Sequence, residues 1–230
     1  PQPPGQRRDP GGDQARAGIR ARLRKLGRSF PNFQPGGGGR GGAPGGAQGS
    51  AGRFGTAPVT DYHLGPACRV GPVELGFNVD RASVPGQYAY GVGPQLKWTF
   101  TEQPDKTDLS AALFFSAVWD ATHGGRAGGQ FVVPVTWHAL DSLWINANLG
   151  YDWTPGSGER TGRGGLQGAW ALNDKLWLVA ERFRAFDTWT TRAGLRFNLT
   201  PTISVDMSAA RTGPDRVRGY AIGLNQVFSR

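Results

Sequence analysis

The sequence predicts an all-β fold, an antiparallel transmembrane β-barrel of about ten strands, with eight and twelve as alternatives. Three observations predict it. From residue 67 onward apolar side chains recur at every second position, in segments about twice the usual five or six residues of a strand. Aromatic residues gather at the ends of those segments, where a membrane girdle places them. Mean hydropathy is only −0.42 despite 8 Trp, 5 Tyr and 12 Phe. Strands with one lipid face and one polar face produce such an average. No run of ~20 apolar residues is present, which excludes a transmembrane helix. A single cysteine, Cys68, excludes a disulfide scaffold and a Cys-based zinc site. It reads as a packed or lumenal thiol. The only methionine is Met207, so Pro1 is not a translation start.

The chain divides near residue 66. Ten Lys/Arg and three Asp precede residue 67, so +7 of the net +9 sits there. Residues 1–12 are Pro/Gly-rich and read as disordered. Residues 13–28 read as a short basic helix, because Ile19, Leu23, Leu26 and Phe30 form one stripe. Residues 36–55 read as a Gly-rich linker, since four consecutive glycines do not hold a helix. Arg16, Arg20, Arg24, Lys25 and Arg28 are the candidate partner-binding residues of this arm. The helix has several readings: lying on anionic lipid, docking a partner groove, plugging a lumen, or a solvated tether that orders on contact. The GGGGRGG stretch has too few arginines for nucleic-acid binding, which is set aside.

Residues 67–230 hold the expected barrel. Val73, Leu75, Phe77 and Val79 open the alternation, and Tyr88, Tyr90, Val92, Leu96, Trp98 and Phe100 continue it. Segments ending in Trp119, Trp137 and Trp153 follow. The later ones run through Leu166–Leu172, Leu176–Ala180, Trp189–Leu199, Ile203–Ala209 and Tyr220–Phe228. Trp177 and Phe183 blur the phase of the seventh. A soluble barrel would have to crowd all these rings into one core. Short connections at 139–142, 173–174 and 200–201 contrast with longer ones at 80–86, 121–128, 154–162 and 212–216. Residues 101–107 are the exception. Short periplasmic turns and longer external loops would put both termini in the periplasm. On this register Glu74, Lys97, Glu181, Arg192, Arg196 and Asp206 point into the lumen. They read as charge-paired filling, because eight strands are just filled by side chains and sixteen leave a channel.

The last strand, GYAIGLNQVF, looks like the C-terminal insertion signal of bacterial outer-membrane proteins, with Gly223 and Phe228 at the matching positions. Gln226 departs from the apolar pattern, and Ser229 and Arg230 extend past the aromatic residue. Residues 131–228 also resemble a family of small Gram-negative outer-membrane barrels described as transporters of the phenol-degradation MetA-pathway type. VPVTWHALDSLWINANLGYDW, KLWLVAERF, RAGLRFNLTPTISVDMSAAR and the terminal strand carry the likeness. It covers somewhat under half the chain. It implies an outer-membrane barrel and transport, without a defined catalytic motif or cofactor.

Three functions follow as expectations. The first is a narrow outer-membrane channel for small hydrophilic or aromatic solutes. The second is a docking barrel whose basic arm holds an acidic periplasmic protein or a larger envelope complex. The third is a rim hydrolase, built on Asp120, His123 and Ser116 or on His138 and Asp141. The expected partners also include outer-membrane lipid, lipopolysaccharide and the barrel-assembly machinery. No catalytic residue, metal or cofactor is assigned.

Overall fold

The computed structural model describes residues 42–54, 57–100, 109–122, 124, 126–153, 159–185 and 187–229. The proposed helix at 13–28, with Arg16, Arg20, Arg24, Lys25 and Arg28, lies outside them. The strands are β1 (Gly42–Phe54), β2 (Ala57–Gly65), β3 (Ala67–Val70), β4 (Val73–Val84), β5 (Gln87–Thr99), β6 (Leu109–Asp120) and β7 (Arg126–Leu140). They continue with β8 (Leu143–Trp153), β9 (Arg160–Ala171), β10 (Leu176–Ala185), β11 (Thr188–Asn198), β12 (Ile203–Thr212) and β13 (Val217–Ser229). Every pairing is antiparallel.

The sheet closes on itself. β1 pairs with β13 on one side and β2 on the other, and β2 pairs with β4. β3 continues β2 along the same edge of β4 after Pro66. Counted as one stave, β2 and β3 make a barrel of twelve. Closure leaves no strand edge to be satisfied by lipid, the requirement for a spanning sheet. An eleven-residue strand is about 36 Å long and about 28 Å tall at a 40° tilt, enough to cross an apolar band of ~25 Å.

The expectation of about ten strands is therefore corrected to twelve. The two added staves come from the segment read as arm and linker, so the sheet begins at Gly42 rather than Ala67. β1, GAPGGAQGSAGRF, carries no alternation of large apolar residues. Strand pairing uses backbone groups, which glycine and alanine supply as fully as valine does. Arg53 and Asp61 leave the arm together, so residues 1–41 still carry +7.

The alternation sorts the two faces as expected. Leu75, Phe77, Leu96, Leu166, Leu195, Met207, Ile222 and Leu224 are exposed on the outside. Alternate positions on the inside hold buried polar groups, including Asn78, Gln95, Asn146, Gln167 and Arg192. Trp98, Phe100, Trp137 and Trp170 face out near one end of the barrel, and Trp119, Tyr151, Trp189 and Tyr220 near the other.

Gly42 faces Ser229, so both ends of the sheet meet at the same rim. Loop length does not distinguish the rims. The expected long connection at 80–86 contracts to Pro85 and Gly86, with Gly86 at φ 78°. Strands also shorten the other long connections, with β7 starting at Arg126 and β9 at Arg160. Two strands approach so closely at Gly93 that a Cβ there would stand 1.7 Å from the Ala117 carbonyl oxygen. Gly150 is similar, 2.0 Å from the Phe131 oxygen.

Candidate functional site: the lumen wall

The inner face carries a ladder of polar side chains that crosses five consecutive strands. Thr136, Asn146, Gln167, Glu181 and Arg192 are direct neighbours in register from β7 to β11. Thr136 Oγ1 donates to Asn146 Oδ1 at 2.7 Å, and Asn146 Nδ2 to Gln167 Oε1 at 2.7 Å. Gln167 Nε2 donates to Glu181 Oε2 at 3.0 Å, and Arg192 Nε to Glu181 Oε1 at 2.6 Å. Glu181 thus receives the ladder from one side and a guanidinium from the other. The pair is withdrawn from solvent, with Arg192 only 4% and Glu181 8% exposed. Phe183 packs on the Arg192 guanidinium, 5.9 Å from its ring centre.

A second pair lies next along β11. Arg196 Nε and Nη2 donate to the two oxygens of Asp206 at 2.6 and 2.7 Å, the two-pronged geometry that guanidinium and carboxylate favour. Asn225 Nδ2 adds a 2.7 Å bond to Asp206 Oδ2 from β13. Toward the rim away from the termini, Arg163 Nε donates to Asp152 at 2.8 Å, and Asp152 is fully buried. Further around that wall His63 Nδ1 donates to Asp80 at 2.6 Å, with Asp61 buried on β2 beside them. Asn78 bonds Gln95 on the same face.

Near the mouth at the terminal rim stands an aromatic group. His138 stacks on Trp144 with ring centres 4.5 Å apart and an 18° interplanar angle. Trp177 meets Trp144 edge-on at 5.0 Å. All three are half-buried on the inner face, since Trp144 pairs with Ala169 and Trp177 with Ala171 and Arg196. Two of the eight tryptophans therefore belong to the lumen, and the girdle expected for all of them holds the other six.

The six lumen residues expected from sequence all lie on the inner face. The structure brings Glu181 to Arg192 and Arg196 to Asp206. Glu74 and Lys97 are direct register partners on β4 and β5. Gly223 sits buried in β13 against Asp206, and Phe228 pairs with Ala43 through the backbone. Cys68 pairs with Leu75 on the lipid face and is exposed there, which corrects its placement as packed or lumenal. Asp120 is engaged locally, accepting from the Thr122 amide at 3.0 Å, and His123 lies outside the described residues. His138 is held in the stack with Trp144.

Sequence reasoning missed Asp61 and His63 because their strand had been counted in the arm. It missed Trp144 and Trp177 although the signal was present: if Leu143 and Leu178 face lipid, their neighbours face the lumen.

Solved structures share this architecture. The KdgM porin superposes with a TM-score of 0.64 at 10% identity, over 81% of this chain and 99% of that one. The NanC porin gives 0.60 at 12% identity, over 79% and 98%. The CymD monoaromatic hydrocarbon channel gives 0.52 at 10% identity, over 84% and 90%. At such identities the likeness establishes the fold, that of an outer-membrane β-barrel. A search among proteins of curated function returns no match. The sequence profile of one family covers residues 55–215, from the end of β1 to the connection between β12 and β13. The chain belongs to the family described as uncharacterised conserved protein UCP029691.

Proposed function

We propose that this barrel is a narrow outer-membrane channel for small solutes, with both termini in the periplasm. The observation that carries the reading is the inner wall: paired charges and amides line one side, and a half-buried aromatic stack stands at one mouth. Twelve staves lie between the eight that side chains fill and the sixteen that leave a wide channel. Such a lumen passes single small molecules through gaps between side chains. Its charges are largely matched, which disfavours strong selection for one ion sign. The Trp144–Trp177 surface offers stacking to a planar ring, which favours monoaromatic solutes. That preference agrees with the likeness of residues 131–228 to transporters of the phenol-degradation type. The fold is shared with porins and with a monoaromatic hydrocarbon channel.

Single-channel recording in planar bilayers, with flux of benzoate and of a linear acid of similar size into vesicles, tests the proposal. Discrete steps and faster benzoate entry are expected. Purified barrel that produces neither steps nor flux refutes it.

A second reading rests on the +7 carried by residues 1–41. Clustered cations steer anionic surfaces, so the arm would anchor an acidic periplasmic protein or a larger envelope complex. Deletion of 1–41, which spares β1, should abolish partner capture. Unchanged capture would remove this reading.

A further inference from the structure

On the described strands, outward-facing charge is confined to one rim. On β10 to β13, Arg182, Thr191, Arg211 and Arg218 form one cross-strand row through their register pairs. All four are exposed. Direct register partners share a face, so all three arginines stand on the lipid side, Arg211 beside Arg218 and Arg182 one strand further on past Thr191. Below them each strand turns apolar: Leu178 on β10, Leu195 on β11, Met207 on β12, Ile222 and Leu224 on β13. The row therefore marks the upper edge of the membrane band. Arg182 lies over the Trp189 ring at 5.0 Å, and Tyr220 is exposed beside Arg218 on the same face. Arg211 and Arg218 are directly opposite one another, an arrangement that is unfavourable for like charges. Neither forms an ion pair among the described residues.

Elsewhere on this rim Arg81 sits among Tyr62, Tyr88 and Tyr90, with its guanidinium 5.8 to 6.0 Å from all three ring centres. Its Nε is buried without a hydrogen-bond partner. Arg160 lies 6.0 Å from the Tyr151 ring. At the terminal rim the outward positions include Trp98, Phe100, Trp137, Trp170, Phe197 and Leu199. No outward-facing Lys or Arg occurs there on the described strands.

We infer that the Arg182–Arg211–Arg218 row is a binding site for the phosphates of lipopolysaccharide, and that this rim lies in the outer leaflet. A phosphate between Arg211 and Arg218 converts their repulsion into two charge-assisted contacts, which guanidinium groups make in a two-pronged fashion. Neighbouring strands are about 4.8 Å apart, so the row spans about 14 Å. That reach engages both phosphates of a diphosphorylated disaccharide headgroup, while Tyr220, between Arg218 and Ile222, rests at the boundary with its acyl chains. The opposite rim, whose described strands carry no outward cation, then faces the phospholipid leaflet. This inference rests on the reading of the chain as an outer-membrane barrel, but not on conduction.

The test uses the full chain in detergent and in cells. Native mass spectrometry with hexa-acylated lipid A, its fully dephosphorylated form and phosphatidylglycerol reads the binding. Wild-type protein should retain lipid A and lose the dephosphorylated lipid. Arg211→Gln with Arg218→Gln should weaken retention at least about tenfold, the equivalent of one lost charge-assisted contact. An unchanged heat-dependent gel shift confirms that the variant is folded. Equal retention of dephosphorylated lipid A, or of phosphatidylglycerol, overturns the phosphate assignment without needing a variant. Orientation is read separately, from Pro214→Cys in a Cys68→Ser background. A membrane-impermeant maleimide should label it on intact cells. Labelling only after permeabilisation overturns the assignment of this rim to the outer leaflet. A barrel that binds lipid A and conducts nothing leaves this inference standing and refutes the channel. A conducting barrel indifferent to phosphate does the reverse.

Discussion

Replacing Glu181 by leucine removes the acceptor on which the lumen ladder converges. Arg192, 4% exposed, then keeps its charge without the carboxylate it contacts, and Gln167 loses the acceptor of its amide N–H. Breaking a buried pair from one side costs about 3–5 kcal/mol, and the amide bond about 1 kcal/mol more. A loss of about 4–6 kcal/mol is expected. Urea unfolding of the barrel in lipid vesicles, followed by tryptophan emission, measures it. Glu181→Leu with Arg192→Leu should recover most of the loss, because replacing both members with apolar groups leaves no stranded charge. The cycle should therefore give a coupling of at least about 3 kcal/mol. The magnitude also reports on the channel. A single-variant loss under about 1 kcal/mol is the value of a solvated pair. It would show that water fills the lumen at this level, and would refute the reasoning from burial.

Further outcomes are expected. Trp177→Ala should reduce benzoate flux relative to a linear acid severalfold, read in vesicle uptake, by removing one ring of the mouth. Gly93→Ala and Gly150→Ala should each destabilise the barrel by about 1–3 kcal/mol or prevent closure, because the added methyl meets neighbouring backbone. Gly168→Ala meets nothing within 4 Å and should leave the gel shift unaltered. Arg163→Ala should cost about 3 kcal/mol in the same urea assay by removing the guanidinium that Asp152 contacts while that carboxylate stays buried. Deleting 1–41 should preserve the heat-dependent gel shift, whereas deleting 1–66 removes β1 and β2 and should abolish it.

Most of the barrel was legible because its two solvents impose opposite chemistry on alternate residues. Leu195 and Arg196 are neighbours in sequence, yet one meets lipid and the other Asp206. Glu181 and Arg192 could be named as lumen residues on alternation alone. Their contact could not, because it depends on the register of β10 against β11. The strands β1 and β2 escaped for a different reason. Gly45, Gly46 and Gly49 offer no apolar signal, and their place in the sheet is set by backbone bonds to β13. The alternation marks Asp152 only as the polar neighbour of Tyr151 and Trp153, and nothing in the sequence signals its full burial. Burial of that kind follows from the curvature of the wall and from Arg163 across the strand pair.

The seam between β1 and β13 has a consequence for how the molecule comes into being. Every other long pairing except β2 with β4 joins consecutive strands across a hairpin, but this one joins Gly42 to Ser229. It can form only when the whole chain has been delivered, so closure is the slow, late step imposed by sequence distance. Until then the N-terminal edge of the growing sheet is a strand of small residues with its backbone donors and acceptors unmet. A molecule caught at that stage is an open ribbon looking for an edge, and a neighbouring chain can supply one as readily as its own last strand. The same glycine-rich seam that completes the cylinder is therefore where two copies would become entangled during synthesis, and where an insertion catalyst has most to guard.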